Sequence, residues 1–306
     1  MKLEHLGVVG FGEVGKIFTA GLKTSVLSVN AWDLKFDAAA ATAKVRETEL
    51  AHAAQAGVLA CRSMQSLCEK SDFVISAVTA SNTLAVAQEA AKHIRVGAIF
   101  LDLNSASPGT KQQAAQIIDA AGAQYVEAGV MTSVPPYGIR VPMLLGGAQA
   151  AELADKLRAF GMNAKQVATD IGVASAIKMC RSVMIKGLEA LVIESYTTAR
   201  KYGVEAHMIP TLSETFPSID WEKQGAYFFS RVAQHGKRRA EEMREAANTV
   251  RETGFEPWMA AAIAEKHDWV AEQSRVGVFD GLPKDANWQQ FADRLIALQT
   301  ARVQSG

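Results

Sequence analysis

Three glycines near the start of the chain are spaced to hold a diphosphate. The run Gly7-Val8-Val9-Gly10-Phe11-Gly12-Glu13-Val14-Gly15 contains G-x-G-x-x-G, directly after an apolar stretch (residues 6–9) and before a helical pattern (residues 15–22). Each glycine answers a steric demand: Gly10 permits a tight turn, Gly12 lets the backbone approach a pyrophosphate, and Gly15 lets helix and strand pack closely. Phe11, Glu13 and Val14 complete the loop, and the following helix offers unpaired N–H groups and a positive dipole end to phosphates. Asp33 stands 18 positions beyond Gly15 and closes a second apolar run (residues 26–32), where an acid binds the ribose hydroxyls of a dinucleotide. A carboxylate there repels the extra phosphate of NADP, so the loop reads as an NAD site. Lys35, two residues on, would partly offset that repulsion and keeps NADP as the second candidate.

These residues need a scaffold, and the first half of the chain supplies one. Short apolar runs at 58–60, 73–78, 98–102, 124–127, 142–145 and 164–168 alternate with helical patterns at 38–56, 64–70, 83–93, 109–121 and 149–160. That alternation predicts an α/β class: a Rossmann domain over residues 1–168, with a mostly parallel sheet and helices on both faces. From Gly172 to Tyr202 runs one proline-free helical stretch, closed by Gly203 as a C-cap. Everything beyond is helical in pattern, punctuated at Pro210, Pro217, residues 254–257 and residues 281–283. Residues 169–306 therefore read as an all-helical domain that begins with a long interdomain helix.

Composition narrows the ligand. The chain has 306 residues, is 49% hydrophobic and carries 32 acidic against 32 basic residues, with a pI near 7.0. Proteins that live on nucleic acid or anionic membrane show an excess of Lys and Arg; with none here, a small molecule is the expected partner. Cys61, Cys68 and Cys180 are too few and scattered for a disulfide framework or a zinc site, and read as buried free thiols with no metal. No apolar run reaches the roughly 18 residues of a membrane span, and no signal-peptide pattern precedes the first strand. The expectation is a cytoplasmic protein.

Several segments together resemble the β-hydroxyacid dehydrogenase superfamily, which includes 3-hydroxyisobutyrate, tartronate semialdehyde and 6-phosphogluconate dehydrogenases. The glycine loop fits, as does the strand ending in Val78-Thr79, where the family's chain passes the nicotinamide ribose. Asp102-Leu103-Asn104-Ser105-Ala106-Ser107-Pro108 looks like the family's D-x-S-[TS]-x-x-P strand end, its substrate-contacting serine falling at Asn104 with Ser105 beside it. Gly172-Val173-Ala174-Ser175-Ala176-Ile177-Lys178-Met179 resembles the segment that carries the family's catalytic lysine. The likeness covers about the first 190 residues. It implies a hydride transfer between a nicotinamide cofactor and a 3-hydroxy acid, or the matching semialdehyde or keto acid.

Chemistry supports Lys178 beside the resemblance. Oxidising an alcohol by hydride transfer needs a base for the hydroxyl proton, and the reverse needs an acid. A lysine near the start of a helix between two domains is partly desolvated and close to the positive dipole end, both of which lower its pKa. The plain alternative is a surface lysine like Lys186 or Lys201, which the apolar neighbours Ala174, Ile177 and Met179 argue against.

The departures from the family are equally specific. One helical turn after the lysine the family has asparagine; this chain has Ser182, which is shorter but still able to hydrogen-bond a substrate and is taken as a substrate contact. The family's D-A-P-V-S-G-G loop is represented by Glu127-Ala128-Gly129-Val130-Met131-Thr132-Ser133, without the glycine pair, and Met131 and Thr132 are taken as substrate contacts. In place of the family's C-terminal Lys-Asp motif stands a basic cluster, His235, Lys237, Arg238 and Arg239. It reads either as a solvated face balanced by Glu241 and Glu242 or as an anion clamp, with His235 and Arg238 converging on a carboxylate or phosphate. The aromatic group Trp221, Tyr227, Phe228 and Phe229 reads as core. Small and apolar residues at 260–264, with few partners in sight, suggest a homodimer built on the C-terminal helices. Imine reduction, and a sensor that binds the cofactor without turnover, stay open as alternatives.

Overall fold

The computed structural model describes the backbone of residues 2–305 and the side chains of residues 2–300. Eight strands form one sheet: β1 (His5–Val9), β2 (Ser28–Trp32), β3 (Leu59–Ala60), β4 (Phe73–Ser76), β5 (Ile99–Asp102), β6 (Gln124–Val130), β7 (Met143–Gly146) and β8 (Ala164–Ala168). Their spatial order is β3-β2-β1-β4-β5-β6-β7-β8, every neighbouring pair parallel except β6 with β7. β6 runs three residues past the predicted 127 because its far end pairs antiparallel with β7, Val130 opposite Met143.

Strand alternation sorts the helices onto two faces. Val8, Ile75 and Leu101 point to a core shared with α1 (Glu13–Leu22), α2 (Ala43–Ala56) and, further along the chain, α6 (Ala150–Ala159). Their neighbours Val9, Val74 and Phe100 point the other way, to α3 (Met64–Glu69), α4 (Thr83–Ala91) and α5 (Pro108–Ala120). With both faces covered, β4 and β5 are buried along their whole length and apolar up to their last residues, Ser76 and Asp102, as the interior of a parallel sheet requires. Register sets the functional edge: Val9 pairs with both Trp32 and Ser76, and Ser76 with Asp102. The loops that begin at Gly10, Asp33, Ala77 and Leu103 therefore leave the sheet from one edge. The strand order reverses at β1, where doubly wound sheets bind ligands.

The helix α7 (Val173–Tyr202) is continuous, and the division between two compact units falls inside it, after Met179, rather than at residue 168. From Cys180 onward the second unit adds α8 (Glu205–Thr215), α9 (Trp221–Glu252), α10 (Trp258–Arg275) and α11 (Trp288–Ser305). α8 runs through Pro210, which was expected to interrupt it. The ring removes one backbone hydrogen bond, and burial of the adjacent Ile209 anchors the helix regardless. Tyr196, Phe228, Phe229, Val232, Trp288 and Phe291 form this unit's core, with the Tyr196 and Trp288 rings edge to face at 4.9 Å. Trp221 joins that core, whereas Tyr227 stays exposed.

Two expectations change here. The residues at 260–264 that suggested a covering subunit are largely used within the unit: Ala260, Ile263 and Ala264 are buried as α10 packs along α9. Gly236 permits that approach, since a methyl there would lie 2.8 Å from the His267 carbonyl oxygen. Of the three free thiols, Cys61 and Cys68 are buried as expected but Cys180 is exposed. Burial pushes the Cys68 thiol up to about 12. Among the described residues no helix is long and apolar enough to cross a membrane.

Candidate active site

The glycine loop leaves β1 at Gly10, whose φ of +92° lies in the region that favours glycine and whose N–H donates to the Trp32 carbonyl at 2.9 Å. A methyl at Gly15 would overlap the Gly10 carbonyl oxygen, so α1 packs onto the strand only because Gly15 has none. Gly12 begins α1 with no side chain capping it, and a methyl there would meet open space. Free N–H groups and an open approach suit a pyrophosphate. Phe11 is buried beneath, and its N–H donates to Asp33 Oδ2 at 2.6 Å; Asp33 Oδ1 accepts from the Lys35 N–H at 2.9 Å. Each carboxylate oxygen keeps a second lone pair for a ribose hydroxyl. The residues present fit a dinucleotide, and Asp33 pins the loop at the end of β2.

At the ends of β4 and β5 the side chain of Asn104 is already engaged. Its Oδ1 accepts from the Val78 N–H at 2.7 Å and its Nδ2 donates to Ser76 Oγ at 2.9 Å, and only 3% of the residue is exposed. Asn104 thus ties two strand ends together, which holds Val78 in place. Thr79 follows, exposed, its Oγ1 accepting from Asn82. Asp102 anchors this turn from below: Oδ1 accepts from the Asn104 N–H at 2.8 Å and lies 2.9 Å from Lys111 Nζ, while Tyr125 donates to Oδ2 at 2.6 Å. Burial, with the Asp102 charge beside it, pushes the Tyr125 phenol up, so it stays a donor. Neither Lys111 nor Tyr125 carries a motif; a lysine on the buried face of an amphipathic helix was the available signal.

Ser105 is the group this strand end presents, and Lys178 Nζ donates to its Oγ at 2.6 Å. Lys178 is half-buried in the second turn of α7, with Ala174 and Met179 buried and Ile177 partly exposed beside it. The first turn is held by Glu127, wholly buried at the centre of β6, whose carboxylate accepts from the N–H groups of Gly172 (2.7 Å), Ala174 (2.9 Å) and Ser175 (3.3 Å). These contacts are why the start of α7 belongs to the first unit. They also change the expected electrostatics, because the positive helix end is met by a carboxylate before it reaches Lys178. Met131 and Thr132 leave the end of β6, Met131 half-buried with its N–H on the Pro142 carbonyl and Thr132 exposed.

In the second unit Ser182 is buried on α7 and accepts from Lys186 Nζ at 3.2 Å. Lys186 in turn lies 2.9 Å from Glu242 Oε2 on α9. Of the basic cluster, Arg238 is close to half exposed, its Nε 3.8 Å from Glu242 Oε1, and His235 is half-buried. The inward-facing member is Arg239, buried in a two-point ion pair with Glu189 of α7. Sequence reasoning chose 235 and 238, although Phe228, Val232, Gly236 and Met243 share a helical stripe with 239.

His267 of α10 completes this cluster. It is fully buried, neither ring nitrogen has a hydrogen-bond partner among the described residues, and Glu189 Oε2 is 3.7 Å away. Burial, then the cations Arg239 and Lys186, push its pKa down from 6.5 to about 3, with Glu242 opposing. Unfolded chain takes up this proton near pH 6.5 and the folded protein does not, so stability is full above that pH and falls as pH descends toward 3. At pH 5 the loss is about 2 kcal/mol. Urea unfolding at pH 7, 6 and 5 should show this slope in the natural protein and a flatter one in His267→Gln. Equal slopes would mean the imidazole is protonated in the folded state.

Comparison with known proteins follows the same division of the chain. Residues 5–170 match the family described as the NAD binding domain of 6-phosphogluconate dehydrogenase, and residues 199–270 match a domain of unknown function (DUF1932). The chain is 36% identical to a conserved hypothetical protein from Sinorhizobium meliloti 1021, with 96% of each chain covered and a TM-score of 0.75. It is 28% identical over 258 residues to an uncharacterized 28.5 kDa protein from the 7S RNA 5' region of Methanothermus fervidus, covering 83% of this chain and 94% of that one. The 3-hydroxyisobutyrate dehydrogenase of Mycobacterium tuberculosis, solved with L-serine, shares the fold at a TM-score of 0.71 with 16% identity, covering 96% and 99% of the two chains.

Proposed function

The chain belongs to the family of the NAD binding domain of 6-phosphogluconate dehydrogenase, and from that premise we propose that it moves a hydride between NAD and an anionic 3-hydroxy acid, or the matching semialdehyde or keto acid. The observation that carries this reading is the Lys178 ammonium on Ser105 Oγ, 2.6 Å away at the end of β5. A nicotinamide dinucleotide, when bound, supplies the hydride acceptor or donor. Gly10, Gly12, Gly15 and the start of α1 hold its pyrophosphate, and Asp33 its adenosine ribose. As the neutral amine Lys178 takes the substrate's hydroxyl proton in oxidation and becomes the ammonium, and as the ammonium it gives that proton back in reduction. Ser105 accepts from Lys178, so its own hydroxyl hydrogen is directed elsewhere and serves to orient a substrate oxygen. Glu127 and Asp102 are positioning residues, one for the helix and one for the turn.

Fluorescence titration with NADH and NADPH tests the cofactor assignment. NADH is expected to bind about ten-fold more tightly, the worth of one hydrogen bond to a charged group. Asp33→Asn, which keeps an acceptor for Phe11 and removes the charge, should narrow that gap from both sides. Tighter binding of NADPH by the natural protein would overturn the preference for NAD. Absorbance change against a panel of hydroxy acids with the preferred cofactor tests the reaction, and a silent panel would favour a dinucleotide sensor.

A further inference from the structure

Glycine inside a strand weakens it and has no side chain to pack, so it marks a place where another backbone comes close. Gly129 is buried in β6, two residues beyond Glu127 and therefore on the same face of the strand. A methyl on Gly129 would lie 2.9 Å from the Ala174 carbonyl oxygen and 3.6 Å from Lys178 Cβ, both on α7. The nearer neighbour is helix backbone, which cannot swing aside as a side chain does. Gly146 stands opposite Glu127 on β7 and is bare for a related reason. A methyl there would lie 2.6 Å from Glu127 Oε1 and 3.1 Å from the Asp170 carbonyl oxygen.

Strand and helix match in length over this stretch. Two residues of strand advance about 6.6 Å, and four residues of helix rise about 6 Å. Glu127 therefore takes the N–H groups of the first turn of α7, while Gly129 lies under the step from Ala174 to Lys178. Gln112 adds a tie from α5, the helix that follows Ser105, its Nε2 donating to the Ile171 carbonyl at 3.1 Å.

We infer that Gly129 and Gly146, with the Glu127 carboxylate, form a platform that sets how close α7 lies to β6 and so how Lys178 is presented to Ser105. Both glycines are positioning residues for Lys178. Ordinary contact begins near 3.4 Å, so a methyl at 129 drives α7 and β6 apart by about half an ångström. That equals the tolerance within which a catalytic group must be held, about 0.5 Å. The inference deepens the dehydrogenase reading and rests on it for the effect on turnover alone.

Crystal structures of the natural protein and of Gly129→Ala measure the shift without cofactor or substrate. The start of α7 is expected to retreat by about half an ångström and to carry Lys178 with it. With the cofactor and hydroxy acid selected by the panel, kcat should fall about ten-fold while KM and dinucleotide affinity stay nearly unchanged, since a displacement of about 1 Å costs roughly 10²-fold. Leu67→Ala supplies the control: it removes buried packing on α3, beside β1, and should lower stability while keeping kcat. An α7 that stays in place in Gly129→Ala, or a kcat no lower than that of Leu67→Ala, overturns the inference. A panel silent even with the natural protein removes the dehydrogenase reading and leaves the crystallographic shift to decide this one. Should Gly129→Ala fail to fold, Gly146→Ala decides by the same two measurements. Its clash is with the movable end of Glu127, so the expected loss of kcat is several-fold, and an unmoved α7 overturns the inference.

Discussion

Lys178→Ala is expected to lower turnover by a factor of about 10² to 10⁴, the usual worth of a positioned acid–base group, while dinucleotide affinity stays nearly unchanged. The split follows from where the lysine sits. Its ammonium is bonded to Ser105 at the end of β5, whereas the groups assigned to the pyrophosphate and ribose lie on the glycine loop and Asp33. Lys178→Arg should not restore activity, because a guanidinium does not release its proton near neutral pH. Rates are measured with the hydroxy acid selected by the panel, and affinity by cofactor fluorescence. A Lys178→Ala protein that keeps most of its activity would place the proton relay elsewhere and remove the central support for a β-hydroxyacid dehydrogenase chemistry.

Lys111→Met should destabilise the folded protein by about 3 kcal/mol, because removing one partner of a buried ion pair leaves an uncompensated charge. Lys111 and Asp102 are each 1% exposed and 2.9 Å apart, so water cannot replace the lost ammonium. The Tyr125 hydroxyl and the Asn104 N–H remain on Asp102, which keeps the loss toward the lower end of what a buried pair costs. Adding Asp102→Asn to Lys111→Met should recover part of the stability, since the charge that lost its partner is then gone. Urea unfolding of the two variants measures both effects. A loss below about 1 kcal/mol in Lys111→Met, the range of an exposed pair, would mean that water enters the site.

The local chemistry of the chain was legible without the fold. Glycine spacing after an apolar run specifies a phosphate loop because the steric demands on Gly10, Gly12 and Gly15 are local, and Asp33 follows at a set distance. Strand–helix alternation gave away the parallel sheet for the same reason: periods of 2 and 3.6 are properties of short windows. The long helix 173–202 and the serine–lysine order, Ser105 then Lys178, were visible too. Pairing across the sheet and between helices was not. Asn104 and Ser105 are adjacent in sequence, and only contacts with Ser76, Val78 and Lys178 decide that the first is a structural tie and the second is presented. Glu127 lies 45 residues before the Gly172 N–H it accepts from, so no window shows that it occupies the helix end beside Lys178. Arg238 and Arg239 are likewise indistinguishable by type. The packing of α9 against α7 and α10 turns one toward Glu189 and leaves the other near the surface, because a helix rotates successive side chains by about 100° and only a partner surface defines which direction is inward.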